Sequence, residues 1–260
     1  MSRLSVRSLM FRRGGRLILD SIDIAIESGS ITAVLGPNGA GKSTLLGCIA
    51  GLLEPTGGQV ELNDQSIATL PARQRARHIA FLPQTPEIAW PIDVTTLVGL
   101  GRIPFAGIAS DADNDAAVSL AMHSTDVADW AKRIATTLSG GERARTQLAR
   151  ILAGESDWIL ADEPFTGLDP AHQFEAADLL RAFAARGGGV ALTIHDLTLA
   201  ARIADRIVIL HHGRVVADDT PEAALTPATL RNVYGIEAEW LAARARGASP
   251  LIAIHGKCAR

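Results

Sequence analysis

Cysteine is almost absent: the 260 residues hold two, Cys48 and Cys258. Thiols so few and so far apart build neither a disulfide framework nor a zinc site. Reduced thiols of a cytosolic chain are the expectation. No stretch approaches the ~18 apolar residues that a spanning helix needs, so any role at a membrane has to pass through a partner. No charged segment followed by an apolar run opens the chain, and no signal peptide is expected. Neither charge is in large excess: 25 Lys and Arg against 28 Asp and Glu leave a net of -3. That balance gives no electrostatic footing for nucleic acid, and the short basic runs Arg12-Arg13 and Arg73 to Arg77 read as solvated faces. Internal repeats and low-complexity segments are missing too. What the chain does have is apolar matter, 47% of residues with 20% charged, which excludes disorder and supports a substantial core. Its length suits one large α/β domain, or a domain with a sizeable insert.

The first third reads as strands and turns. Leu4 to Phe11 and Ile22 to Ile26 are strand-like, with a Gly14-Gly15 turn between them. Ile22, Ile24 and Ile26 alternate with Asp23 and Ala25, as in a half-buried strand. Ile31 to Leu35 is an apolar run that stops at Gly36, and Ser43 to Ala50 reads as helix. Gln59 to Leu62 and His78 to Leu82 are further strands. From about Thr95 to Ala153 the patterns are helical, with loops at Gly101 to Ser110 and Thr136 to Gly141. The last third alternates: strand Trp158 to Ala161, helix Pro170 to Arg186, strand Val190 to Ile194, helix Leu197 to Ala204, strand Ile207 to Leu210. Such alternation indicates a mainly parallel sheet covered by helices. The tail from Pro221 reads as short helices with room for a strand.

Gly36-Pro37-Asn38-Gly39-Ala40-Gly41-Lys42-Ser43 fits the phosphate-loop pattern G-x-x-x-x-G-K-[ST], placed after a buried strand and before a helix. Its glycines let backbone N–H groups close on phosphate oxygens, and the helix N-terminus adds its positive end. Lys42 is placed for the β- and γ-phosphates and Ser43 for Mg²⁺. Trp158 to Glu163 is an apolar strand ending in two carboxylates. Leu35, Ala161 and Ile194 each end a strand at a candidate group: Gly36, Asp162-Glu163 and His195. Parallel strands would bring all three to one sheet edge, where ligands of doubly wound sheets sit. There Asp162 can anchor Mg²⁺ through water and Glu163 can polarise an attacking water. Leu138-Ser139-Gly140-Gly141-Glu142 opens an arginine-rich helix. Ser139 and Glu142 make a capping box, and a capped N-terminus with two bare glycines is also a phosphate receptor. Asp169 before Pro170 is an ordinary helix start.

Taken in order, the phosphate loop, Gln84 in Leu82-Pro83-Gln84, the LSGGE segment, the Asp162-Glu163 strand, the Leu168-Asp169 turn and His195 resemble the nucleotide-binding subunits of ABC transporters. The resemblance spans about residues 3 to 235. It implies a P-loop NTPase fold of the RecA-like α/β class: a mainly parallel sheet core, an N-terminal antiparallel β subdomain and an inserted α-helical subdomain. The ATPase domain would cover 1–220 with the helical insert at about 86–155, followed by a short C-terminal extension, 221–260. It implies a Mg-dependent ATPase with ATP and Mg²⁺ as cofactors. ATP would be held by Gly36 through Ser43 and by Thr44. Lys42, Glu163, His195 and Gln84 would be catalytic, and Ser43, Gln84 and Asp162 would serve the metal. Ser139, Gly140, Gly141 and Glu142 would close on the γ-phosphate bound by a second subunit, with Asp169 across the seam. The family stacks an aromatic on adenine about thirty residues before the phosphate-loop lysine; that register gives Arg13 here, with Phe11 two residues away. Arg143-Ala144-Arg145 also stands where Arg-Gln-Arg is common, which removes one polar contact of the helical subdomain.

Three function classes compete. A transport ATPase would dimerise, drive separate transmembrane permease subunits from the cytoplasmic face of the inner membrane, and work with an extracytoplasmic substrate-binding protein, without nucleic acid. A soluble ABC ATPase of the DNA-repair type would carry a long coiled coil between Gln84 and Ser139, and one of the ribosome type would carry two ATPase halves. A phosphate-loop GTPase would want an Asn-Lys-x-Asp guanine reader, which is missing, and a kinase would not need LSGGE. Gly101-Arg102-Ile103-Pro104 is similar to a Gly-Arg-x-Pro segment in importers of iron–siderophore, haem and cobalamin. The tail from Leu225-Thr226-Pro227 to Val233-Tyr234-Gly235 is similar to that group's ending. Import of a metal chelate, iron–siderophore or haem ahead of cobalamin, is the cargo this implies. His211-His212 match no motif and receive no metal.

Overall fold

The computed structural model describes residues 2–84, 88–241 and 251–258. The start of the expected insert at 86 and positions 242–250 and 259–260 of the expected extension lie outside these. An antiparallel sheet in the order β2-β1-β4-β5 takes β1 (Arg3–Arg13), β2 (Arg16–Glu27), β4 (Gly57–Leu62) and β5 (Gln65–Ser66). β1 and β2 turn at Gly14-Gly15, both at positive φ. β2 therefore starts six residues before the expected Ile22. Ser21 sits at φ 53 in an irregular stretch of the pairing, which breaks the period of two that marks a strand in sequence.

The second sheet has the order β10-β9-β3-β8-β7-β6. Its strands are β3 (Ile31–Leu35), β6 (Ile79–Leu82), β7 (Trp158–Asp162), β8 (Gly189–Thr193), β9 (Arg206–His211) and β10 (Arg214–Asp219). Neighbours run parallel except at the β9–β10 hairpin, whose returning strand falls between the expected strand ending at Leu210 and the tail from Pro221 and was not expected. Both faces are buried, so residues alternate between two cores. Ile31, Ala33, Leu35, Ile159 and Ala161 enter one. Val34, Trp158 and Leu160 enter the other, with α1 (Lys42–Ile49) and the antiparallel sheet. This double burial is why the parallel strands read as unbroken apolar runs.

A third core joins α3 (Val94–Gly99), α4 (Asp111–Ser124) and α5 (Gly140–Ala153). Two expectations are corrected around it. Residue 78 ends a helix, α2 (Ala72–His78), rather than opening a strand. The basic run that α2 carries is not a free solvated face, because Arg73 and Arg77 donate to the Pro104 carbonyl at 3.1 and 2.8 Å. That carbonyl belongs to a 3-10 turn, Leu100–Phe105, where a loop was expected. Gly101 is needed there because a Cβ would meet the Arg150 carbonyl at 2.1 Å. Arg102, 7% exposed, donates to Asn114 at 2.9 Å, to the Ala153 carbonyl at 2.9 Å and to Glu155 at 2.6 Å. Its guanidinium lies over the Phe105 ring. Arg102→Met is therefore expected to cost about 2–3 kcal/mol, since it strands buried polar groups. A urea midpoint equal to that of the parent would contradict this.

After α6 (Pro170–Ala185) and α7 (Leu197–Ile203) come α8 (Pro221–Ala224), α9 (Pro227–Tyr234) and a hairpin of β11 (Ile236–Leu241) and β12 (Leu251–Lys257). Ala224, Leu225, Leu230, Ala238 and Ile252 join the first core. Among the described residues no helix is long and apolar enough to cross a membrane.

Candidate functional site

Parallel pairing fixes where the chemistry collects. Val34 of β3 pairs with Thr193 of β8, and Asp162 of β7 pairs with the same Thr193. The three strands thus end level, and Gly36, Glu163 and His195 follow at one sheet edge. Leu82 pairs with Ala161, which brings exposed Gln84 beyond the same edge.

The loop from Gly36 to Gly41 wraps into α1 through three glycines at positive φ, 146, 78 and 105. Two of them are also sterically obligatory. A Cβ at Gly36 would meet the Leu210 carbonyl at 2.2 Å, and one at Gly41 the Leu19 side chain at 2.7 Å. Pro37 is half-buried, Asn38 and Gly39 are exposed, and Ala40 packs inward. Lys42 is 7% exposed and donates to the carbonyls of Gly36 at 2.8 Å and Pro37 at 3.2 Å. Burial lowers its ammonium pKa, and the Glu163 and Asp162 carboxylates partly offset this. Ser43 is exposed at the loop end, with Thr44 half-buried behind it.

Asp162 is 5% exposed, and the Thr193 hydroxyl donates to its Oδ1 at 2.5 Å. The backbone then turns sharply: Glu163 has φ 53, a left-handed conformation that non-glycine residues seldom adopt. Its N–H donates to the same Thr193 hydroxyl at 2.9 Å. Its carboxylate pairs with His195 Nε2 and accepts from Thr166 at 3.3 Å. Glu163, Thr166 and His195 line a hollow of about 180 Å³ with Phe165, Gly167 and Gln173.

Ser139 caps α5: its hydroxyl accepts from the Glu142 N–H at 3.3 Å, and its N–H donates to Glu142 at 2.8 Å. Arg133 adds two bonds to that carboxylate, at 2.7 and 3.3 Å. With the Ser139 N–H, it holds the Glu142 carboxyl down to about 2. Glu142 is thus taken up by the cap and by Arg133, so it shapes Ser139 instead of offering a free group. The departure at Ala144 has a local answer beside the retained Arg145. Ala144 packs on the first core, and the Arg145 guanidinium lies 4.5 Å over the Trp130 ring. A Cβ on Gly141 would meet the Gly167 carbonyl at 3.6 Å, which sets the glycines beside the Leu168-Asp169 turn. Asp169 caps α6, accepting the His172 N–H at 3.0 Å, and that bond lowers its carboxyl.

The structure separates the two adenine candidates. Phe11 is 9% exposed and sits in the second core, so it is corrected to a packing residue. Arg13 is exposed and pairs with Arg16 at the hairpin end. Thr193 and Arg133 carry no site signal in the sequence, and Tyr234 stands there only as part of the tail. Burial pushes the Tyr234 phenol well up, and the Gly36 N–H facing its oxygen draws it partly back. The His211 and His212 rings lie with centroids 4.0 Å apart, tilted by 36°. Among the described residues no group of His, Cys, Asp and Glu gathers as a metal cluster.

A family model described as ABC transporter matches residues 19–166. The chain is 44% identical to the hemin import ATP-binding protein of Pseudomonas entomophila over 239 residues, covering 90% of this chain and 93% of that one. It is 41% identical to the hemin import ATP-binding protein of Bordetella avium over 246 residues, covering 92% and 94%. Among solved structures, a metal-chelate type ABC transporter in an inward-facing conformation superposes with a TM-score of 0.84 at 26% identity, covering 98% of both chains. A dimeric bacterial ABC transporter cassette does so at 0.77 and 25% identity, covering 84% of this chain and 99% of that one.

Proposed function

The chain belongs to the ABC transporter family, and from that premise we propose that it is the ATP-hydrolysing subunit of an importer for haem. The observation that carries the cargo is the identity of 41–44% with hemin import ATP-binding proteins along nine-tenths of the chain. The Gly101 to Pro104 segment and the tail agree with a metal-chelate importer, as does the solved neighbour of that type. Uptake of labelled haem, ferric siderophore and cobalamin, measured in cells with and without the chain and lacking redundant systems, tests the cargo. Loss of haem uptake alone is expected. Unchanged uptake of all three overturns the cargo and leaves the ATPase standing.

The division of labour follows from the sheet edge. The loop N–H groups from Gly36 to Thr44 cradle the phosphates, and Lys42 exchanges its two carbonyl partners for β- and γ-phosphate oxygens. Mg²⁺ takes oxygen ligands and keeps several waters, with one or two carboxylates beside phosphate. Exposed Ser43, Asp162 through its second oxygen and Gln84 fit that donor set; the ion would neutralise charge on the phosphates. Glu163 holds the attacking water and accepts its proton. His195 positions Glu163 and meets the γ-phosphate. Arg13 lays its guanidinium on the adenine face. Arg13→Ala is expected to weaken ATP binding by about 0.5–2 kcal/mol, read by titration calorimetry; unchanged affinity would remove that role.

Ser139 and Gly140 are exposed and Gly141 is half-buried, which suits closure on a second subunit with Asp169 beside that seam; that a solved cassette of this kind is dimeric supports the same arrangement. We take the ATPase domain to run to about 220, with the helical insert at about 86–155 and a short extension over 221–260, of which Leu225, Leu230 and Ile252 pack on the first core. Separate permease subunits hold the dimer at the cytoplasmic face of the inner membrane, and an extracytoplasmic binding protein delivers cargo. Nothing in the site favours a ribosomal or nucleic-acid role.

A further inference from the structure

We propose that Thr193 is a positioning residue for ATP hydrolysis, its one hydroxyl setting the relative placement of Asp162 and Glu163; this rests on the ATPase reading above. Thr193 ends β8 and is fully buried. A hydroxyl carries one proton and two lone pairs. The proton is committed to Asp162 Oδ1 at 2.5 Å, a charge-assisted bond of the short, strong kind. A lone pair takes the Glu163 N–H at 2.9 Å.

Both bonds have consequences for chemistry. The first occupies one oxygen of Asp162 and leaves the other as the free donor toward a cation. The second anchors the backbone where it is strained, since φ 53 at Glu163 persists only when its surroundings impose it. That kink aims the Glu163 side chain at His195 and Thr166. A valine of nearly the same shape would fill the core equally well, but would strand the Asp162 oxygen and the Glu163 N–H. The hydroxyl is therefore what matters at this position, not the bulk.

The test compares wild type, Thr193→Val and Thr193→Ser in steady-state ATP hydrolysis, with Mg²⁺ titrated at saturating ATP. Wild type must hydrolyse ATP; if it does not, the ATPase reading fails before the inference is reached. Thr193→Val is expected to lose roughly 10- to 100-fold in kcat with KM for ATP within about twofold, the mark of an interaction that acts on the transition state. Its half-saturating Mg²⁺ should rise several-fold, and Thr193→Ser should restore both. A kcat for Thr193→Val within twofold of wild type overturns the proposal. So does a loss that Thr193→Ser does not restore. Should Thr193→Val fail to fold, Thr193→Cys, which is of similar size and only a weak donor, carries the same expectations and the same refutation.

Discussion

Glu163→Gln is expected to leave ATP binding intact while slowing steady-state hydrolysis by roughly 10²-fold or more. The exchange keeps the size of the side chain and one acceptor oxygen for His195 and Thr166. It leaves untouched the N–H bond to Thr193 that fixes the turn. What it removes is the capacity to take a proton from the attacking water. Binding depends on the loop and on Lys42, whose hydrogen bonds go to the Gly36 and Pro37 carbonyls and not to Glu163. Turnover of the variant at the wild-type rate, with metal and nucleotide saturating, would remove Glu163 from the chemistry.

Gly141→Asp, placed in the Glu163→Gln background, is expected to abolish the ATP-dependent dimer that Glu163→Gln alone accumulates. In the otherwise wild-type chain it should lower turnover by roughly 10²-fold, the scale of losing a donor aimed at developing charge. The fold tolerates the change. A Cβ at Gly141 has ordinary contacts, 3.6 Å to the Gly167 carbonyl and 4.0 Å to Leu168, and an acidic side chain in the first turn of α5 suits the helix dipole. The harm expected is electrostatic, because a carboxylate would be added beside the glycines proposed to meet the partner's γ-phosphate. Light scattering with saturating ATP reads the result. A dimer formed as readily as by Glu163→Gln alone would put the signature outside the shared site.

The parts of the site that were legible in sequence are those where backbone geometry permits few residue types. Gly36 and Gly41 cannot carry a side chain without meeting Leu210 or Leu19, so the loop declares itself. Asp162 and Glu163 were legible because carboxylates interrupt an apolar strand. Thr193 was not, because a β-branched residue inside an apolar run reads as strand filling, and its partner Asp162 is 31 residues away. The start of β2 was lost to the irregularity at Ser21. The arginines of α2 look like a solvated face in sequence because the Pro104 carbonyl that Arg77 and Arg73 hold lies 27 and 31 residues on. Phe11, the alternative two residues from Arg13 for the adenine contact, shows the converse: it is an aromatic near the expected register, yet the strand turns it into the second core. Local spacing carries backbone demands well; long-range side-chain pairing leaves little trace in it.

The measurement that bears most directly on the whole account is recovery of the tagged chain from detergent-solubilised membranes, followed by assay of what comes with it. A multi-span permease is expected in stoichiometric yield, and the complex should hydrolyse ATP in a manner that Glu163→Gln abolishes. Recovery with ribosomes or nucleic acid in place of a membrane protein would contradict it.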